Sequence, residues 1–257
     1  MASGIDHVAI AVPDPDAAAA ELTEALGIAF TGGGRHEALG TFNRIAFLGD
    51  AFLELLGVSD QDDAVNWPVG AAGVVALERG GGFATYALLA DELDGRVVAL
   101  RAAGSSIGPA VYGSRRRQDG DLVEWWTATF PELGPDRPPF LIKHAYAGSE
   151  WGPDAMAARR AFRHPIGFPA SLQRLEIATT DPPGLAAAYA AEIGLELSAV
   201  GDLAVGTVGP HAIRLVPSRE MEVAAVVTIG ADVREPRTFL AFGVRFDVEP
   251  VAGGSPS

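Results

Sequence analysis

Two stretches in opposite halves of the sequence repeat one pattern. Residues 5–15 read IDHVAIAVPDP, and residues 172–182 read LQRLEIATTDP. Each alternates in side-chain character as a strand does, and then reaches Asp-Pro and an alanine-rich segment that is typical of a helix. An internal repeat of this kind indicates a chain built from copies of one supersecondary unit. The copies differ in their polar residues, because His7 in the first stretch is replaced by Arg174 in the second.

The repeated unit is predicted to be a strand, a helix and three further strands. In the first copy, a strand over 5–12 precedes a helix over 17–25 that Asp14 or Asp16 caps and Gly27 ends. Further copies begin near 83 and 172, and strands at 222–229 and 239–248 indicate a fourth copy without its helix. We therefore expect an α+β protein in which tandem βαβββ units form curled mixed sheets around a cup, with helices outside.

The domain organisation follows from these units. Residues 1–146 hold the first two units, residues 147–171 form a linker with a short helix, and residues 172–248 hold the remaining units. The last segment, 249–257, is mostly Gly, Pro and Ser and is predicted to be a disordered tail.

Composition excludes several classes of function. The formal net charge of -14 repels phosphate backbones and anionic headgroups, so we expect neither nucleic acid nor membrane as a partner. The absence of cysteine excludes disulfides and thiolate chemistry, and fits a cytoplasmic protein. We expect no signal peptide, because the first residues have no basic start and no long apolar segment, and no apolar run is long enough to span a bilayer.

Several segments together resemble a known superfamily. They are IDHVAIAV at 5–12, His36 with GTFN at 40–43, FLELL at 52–56 and PFLI at 139–142. This pattern resembles the vicinal oxygen chelate superfamily of glyoxalase, bleomycin-resistance and extradiol dioxygenase folds. Residues 1–146 are similar, more narrowly, to the glyoxalase-like domain proteins. The resemblance implies a fold more strongly than a substrate, because such folds host many chemistries.

The resemblance implies a metal site in the cup. Its ligands come from the first and fourth strands of each unit, which in the first unit supply His7 and Glu54. Nitrogen and oxygen ligands suit Zn, Mn, Ni or Fe. Glu54 is also a candidate catalytic base.

The second unit departs from this pattern. Thr85 falls at the histidine position, and Lys143 falls at the glutamate position with His144 one step beyond. In one interpretation, His7 and Glu54 hold a metal with help from His36 or His144. In the other, Lys143 neutralises Glu54 and no metal binds. A one-residue slip of the 140–144 strand would turn His144 inward and Lys143 outward, so both registers stay open.

Other polar and aromatic residues are candidates for ligand binding. His36 would contact a ligand or shape a turn, and for Asn43 the turn is favoured. Trp126 is predicted to face the cup, with the adjacent Trp125 facing the covering layer. The basic stretch 114–118 could clamp a carboxylate or phosphate, but a solvated hairpin loop is the favoured interpretation.

In the third unit, Arg174 takes the position of His7 and Arg214 takes that of Glu54. Two guanidiniums on neighbouring strands repel each other unless an anion lies between them. An anionic ligand could supply that charge, but Glu176 is the favoured partner.

Two functions are compatible with these residues. The first is a glyoxalase-like enzyme, a metal-dependent lyase, isomerase or dioxygenase that acts on a small oxygenated organic molecule. The second is a metal-free protein that binds or sequesters a small molecule, like the bleomycin-resistance members. Cups of this superfamily form within one chain or between two, so a homodimer is also open.

Overall fold

The computed structural model describes residues 2–36, 38–117 and 119–251. Eight strands of the first two units close into a barrel in the order β1-β4-β3-β2-β6-β7-β8-β5. Their bounds are β1 (Gly4–Ala11), β2 (Gly32–His36), β3 (Thr41–Leu48), β4 (Ala51–Val58), β5 (Gly82–Leu89), β6 (Val111–Arg116), β7 (Leu122–Ala128) and β8 (Phe140–His144). Two pairs, β1 with β4 and β5 with β8, are parallel, and the other neighbours are antiparallel.

The helices surround this barrel and connect it to the second half. Their bounds are α1 (Pro15–Leu26), α2 (Gln61–Ala64), α3 (Pro68–Leu77), α4 (Leu93–Ala102), α5 (Gly148–Trp151), α6 (Pro153–Arg160) and α7 (Pro182–Ile193). As predicted, the side chain of Asp14 caps α1 by accepting from two backbone N–H groups, and Gly27 ends it with a φ of 72°. Helices α2 and α3 were not predicted.

The second half forms one seven-stranded sheet with the order β10-β11-β12-β9-β13-β15-β14. Its strands are β9 (Ala170–Thr179), β10 (Ser198–Val200), β11 (Leu203–Val208), β12 (His211–Pro217), β13 (Ala225–Ala231), β14 (Arg237–Ala241) and β15 (Val244–Pro250). Strand β9 pairs with β12 in parallel and with β13 antiparallel, as β1 pairs with β4 and β5. The sequence repeat is therefore also a repeat of topology.

One apolar core joins the barrel to the second sheet. It contains Leu26 of α1, Tyr86 of β5, Tyr189 of α7 and Phe246 of β15, all nearly inaccessible to solvent. The hydrophobic free energy of this shared core opposes separation of the two halves. The division into domains at 146 and 172 stays a prediction.

Three parts of the chain differ from the expected organisation. Strand β6 includes the basic residues up to Arg116, so they lie in a strand rather than in the favoured hairpin loop. The interval 147–171 contains α5 and α6, and α5 contributes to the site described below. Strand β15 continues to Pro250, so a tail does not begin at 249, and residues 252–257 lie outside the described part of the chain.

Candidate functional site

A cavity of about 290 Å³ occupies the barrel. Phe52, Trp125, Phe140 and Trp151 supply much of its apolar lining. Trp67 of the α2–α3 connection and Val111 of β6 also line it, and both are exposed to solvent. Because some lining residues are exposed, the cavity is accessible from solvent. An apolar chamber with a few polar groups is the usual form of a small-molecule site.

His7 and Glu54 come together in this cavity, as the sequence predicted. Strands β1 and β4 are parallel neighbours, and the register pairs Ala9 with Glu54. The Nε2 atom of His7 lies 3.5 Å from the Oε2 atom of Glu54, and both side chains are buried. The ring of His7 stacks on Phe52 with a centroid distance of 4.7 Å. The small side chain of Ala9 leaves room for this contact.

Asp6 is a site residue that the sequence analysis missed. The register of β1 against β5 shifts between Ile5 and His7, so that Asp6 is an extra residue in a β-bulge. Its carboxylate lies 2.6 Å from Nδ1 of His7 and 2.8 Å from Nε2 of His144. One buried carboxylate therefore holds two imidazoles.

Asn43 orients Glu54. It lies within β3, not in a turn, which corrects the favoured interpretation of this residue. Its Nδ2 donates to Glu54 Oε1 over 2.6 Å, and its Oδ1 accepts from the backbone N–H of Gly34 over 3.0 Å. His36 also lines the cavity, with Nδ1 2.7 Å from the hydroxyl of Thr41.

Two of the cavity histidines, His7 and His36, have different proton affinities. Burial opposes charge on His7, but its hydrogen bond with Asp6 and the charges of Glu54 and Asp6 raise the pKa of His7 above 6.5. Burial lowers the pKa of His36 to about 4, although Glu54 acts in the opposite direction. Because their environments separate the two pKa values, His7 can act as an acid in this site while His36 stays neutral.

Arg115 and Glu150 also line the cavity and pair with each other. Arg115 of β6 is 4% exposed, and its guanidinium donates to the carbonyl of Gly33 over 3.0 Å and to the carboxylate of Glu150. Glu150 and Trp151 belong to α5, and Trp151 stacks on His144 at 3.6 Å. Burial lowers the pKa of Arg115, while the charges of Glu150 and Glu54 oppose that effect.

The register of β7 and β8 decides between the two registers left open for the 140–144 strand and corrects the predicted orientation of the two tryptophans. His144 faces the cavity and Lys143 does not, and the Nζ atom of Lys143 lies 6.0 Å from the ring centroid of Trp126. Lys143 therefore does not neutralise Glu54. Trp125 lines the cavity and Trp126 packs outside, the reverse of the prediction.

Three further candidates lie away from the cavity lining. Thr85 is buried in β5 but is not among the lining residues. Arg174 and Arg214 are on the second sheet, where Glu176 lies 2.6 Å from the first and 3.5 Å from the second. Glu176 is therefore the partner of both arginines, as the favoured interpretation predicted. Neither arginine lines the barrel cavity, so their predicted role in ligand binding there is wrong.

The described residues do not fit the predicted metal. Among them, no three His, Asp or Glu side chains are grouped as metal ligands. His7 and Glu54 offer two donors, but His144, the predicted third, directs its Nε2 atom to Asp6. A divalent ion with these ligands would need all donors at about 2 Å. The roles proposed for these residues therefore do not involve a metal.

A family model described as glyoxalase-like domain matches residues 5–193. The chain belongs to this family. A hypothetical protein from Staphylococcus aureus has a similar structure, with a TM-score of 0.78 and 14% identity over 96% of this chain and 99% of that one. The likeness extends over both halves and confirms the predicted fold of curled mixed sheets. No match was found among curated proteins.

Two solved enzyme structures are also similar to the structure of this chain. A triple mutant of 4-hydroxymandelate synthase from Streptomyces coelicolor has a TM-score of 0.51 and 14% identity, covering 90% of this chain and 72% of the enzyme. Methylmalonyl-CoA epimerase from Mycobacterium tuberculosis has a TM-score of 0.43 and 19% identity, covering 58% and 91%. These values concern the fold. In the described part of the chain, every helix is too short or too polar to cross a bilayer.

Proposed function

We propose that the protein binds a small oxygenated organic molecule in the barrel cavity and transfers a proton on it, as a lyase or isomerase does. The observation that supports this proposal is the pair of His7 and Glu54, buried 3.5 Å apart beside an apolar cavity of about 290 Å³. A buried acid and a buried base in one chamber suit general acid–base catalysis.

Glu54 is the proposed base. Its carboxylate accepts from Asn43 on one oxygen and lies near His7 on the other, so its position is fixed. The carboxylate would take a proton from the carbon next to a carbonyl group of the ligand. Loss of that proton leaves an enol or enolate, whose oxygen needs a proton or a positive charge.

His7 is the proposed acid. Asp6 holds Nδ1, which leaves Nε2 facing the cavity, and the raised pKa of His7 increases its protonated fraction near neutral pH. The imidazolium would donate its Nε2 proton to the developing oxygen. Glu54 then returns its proton to the same or a neighbouring carbon, while an enol O–H proton returns to Nε2 of His7 and the carbonyl group re-forms. This completes an isomerisation and restores both residues to their starting states.

A binding protein without turnover is the second candidate. It is favoured by the existing partners of two charged groups in the cavity, because Glu54 already has two partners and Arg115 is neutralised by Glu150. Such a protein would use the cavity to sequester its ligand.

Proton exchange at carbon tests the proposal. Small ketones, hydroxyketones and oxoacids would be incubated with the protein in D₂O and followed by proton NMR for the loss of C–H signals. We expect exchange by the wild type, and a loss of at least about 100-fold in Glu54→Gln with binding retained. Glu124→Gln is the matched control, because that carboxylate is on the outer face of β7 and bonds to Tyr112.

The outcomes separate the two candidates. Exchange that persists unchanged in Glu54→Gln would refute the role of this carboxylate. Compounds that bind to the wild type without any exchange would support the sequestering protein instead.

A further inference from the structure

Arg115 is the one arginine or lysine among the described residues that line the barrel cavity. Its side chain is buried with the carboxylate of Glu150, which α5 brings in from outside the barrel. A buried guanidinium needs an anionic partner, because removing that partner leaves a charge without compensation. Whatever replaces Glu150 must therefore carry negative charge.

Glu150 lies between two cavities. It lines the barrel cavity and also a second cavity of about 190 Å³, to which Arg117, Ser149 and Arg159 contribute. Its Oε1 atom pairs with Arg115, and its Oε2 atom lies 2.6 Å from Nη1 of Arg117. The second cavity therefore offers this carboxylate both space and a cation outside the barrel.

We propose that the ligand of the barrel carries a carboxylate that binds Arg115, and that Glu150 occupies this position in the free protein. This inference rests on the proposed function and narrows its substrate class to small organic acids with an apolar body. On binding, the Glu150 side chain turns toward the second cavity and keeps Arg117 as its partner. Arg115 exchanges one carboxylate for another, so no buried charge loses its partner.

The charges around the cavity favour an exchange over simple addition. Glu54 and Glu150 both line the cavity, as do Arg115 and the imidazolium proposed for His7, so a third carboxylate would leave an excess of negative charge unless one of the two left. Glu54 is fixed by Asn43 within the barrel wall, whereas Glu150 is on a four-residue helix and has a second cation available. Glu150 is therefore the group that gives way.

The same arrangement orients the ligand. Planar guanidinium groups bind carboxylates in a defined direction. Arg115 is close enough to Glu54 for the two charges to interact. An acid held on Arg115 would thus place its neighbouring carbon atoms toward His7 and Glu54, and its apolar body against Phe52 or Trp125.

Benzoate and its uncharged counterpart benzamide test this inference, by calorimetry or ligand-observed NMR. We expect the wild type to bind benzoate more tightly than benzamide. Glu150→Gln removes the competing charge and should strengthen benzoate binding about tenfold, with benzamide changed less than about twofold. The double variant Arg115→Gln, Glu150→Gln removes both charges together and should lose the preference. Glu132→Gln, an exposed carboxylate paired with Arg137, is the surface control.

The results distinguish this inference from the proposal on which it rests. Benzamide bound as tightly as benzoate by Glu150→Gln, or a preference for benzoate that survives in the double variant, would overturn the role of Arg115 but leave the cavity as a binding site. Binding of neither compound by any of these proteins would overturn both.

Discussion

His36 should make the barrel sensitive to mild acid. Burial in the cavity lowers its pKa to about 4, opposed by Glu54 and assisted by the positive charges of Arg115 and His7. In the unfolded chain the same imidazole has a pKa of about 6.5. The unfolded state therefore binds a proton that the folded state does not, over the interval between these two values.

The sign and size of the effect follow from this difference. A histidine with a lowered folded pKa contributes stability that is complete above 6.5 and is lost as the pH falls toward 4. Each pH unit is worth about 1.36 kcal/mol, so lowering the pH from 6.5 to 5 removes about 2 kcal/mol from the free energy of unfolding. His36→Gln has no group to titrate and should not show this loss.

Urea unfolding of the wild type and His36→Gln at pH 8 and pH 5 measures the effect. All four tryptophans lie in the first 151 residues, so their fluorescence reports the barrel half. The wild type should lose about 2 kcal/mol more than the variant between the two pH values. His211, whose pKa is also lowered to about 4 by burial, is present in both proteins and cancels.

Thr41→Val is the matched control for this experiment. It removes the hydroxyl 2.7 Å from Nδ1 of His36 but keeps the imidazole, so the pH dependence of the wild type should remain. An equal loss of stability in the wild type and in His36→Gln would refute the argument that this side chain is held neutral.

Three further predictions concern the cavity, the barrel and the metal. Trp125→Ala should weaken binding of cavity ligands at least about tenfold, whereas Trp126→Ala, on the outer face, should not, as calorimetry can measure. Gly34→Ala should destabilise the barrel by about 1–3 kcal/mol in urea, because its Cβ would lie 2.3 Å from a backbone oxygen of β6, while Gly95→Ala meets open space and should not destabilise it. Adding Zn, Mn, Ni or Fe(II) to the untagged protein should leave its melting temperature unchanged, because the described residues hold no three-ligand group.

The fold was predictable because its signals are local. Asp14 and Gly27 mark the two ends of α1, as the sequence predicted. The pairing of His7 with Glu54 was instead implied by the resemblance to the superfamily, whose ligands come from the first and fourth strands of a unit. Short-range patterns were sufficient for the two ends of the helix.

The rest of the site depends on register and on distant contacts. Trp125 is the cross-strand partner of His144, and Trp126 is the partner of Lys143. The wrong orientation of the tryptophans and the undecided orientation of Lys143 and His144 therefore have one cause, since a shift of one residue turns every side chain of a strand to the other face. Asp6 joins the site through a β-bulge, which alternation does not predict.

Glu150 had no local signal at all. It follows glycine and serine in an interval that reads as a linker, and only the folded chain brings it to Arg115. Arg115 itself had a weak signal, the basic stretch in an acidic sequence, but a loop was the favoured interpretation. A charge cluster does not show by itself whether its members face solvent or a cavity.

The repeat explains why the hollow belongs to the barrel half. Ala9 and Glu176 take equivalent positions in the two copies of the unit. Ala9 lies two residues after His7 and is paired with Glu54. Glu176 lies two residues after Arg174 and is paired with Arg214. In the barrel, the methyl group of Ala9 leaves space in which His7 and Glu54 meet and face the cavity. In the second sheet, Glu176 occupies that space and bridges Arg174 and Arg214. A small side chain at this position leaves the acid–base pair open to a ligand, and a charged one satisfies its neighbours internally.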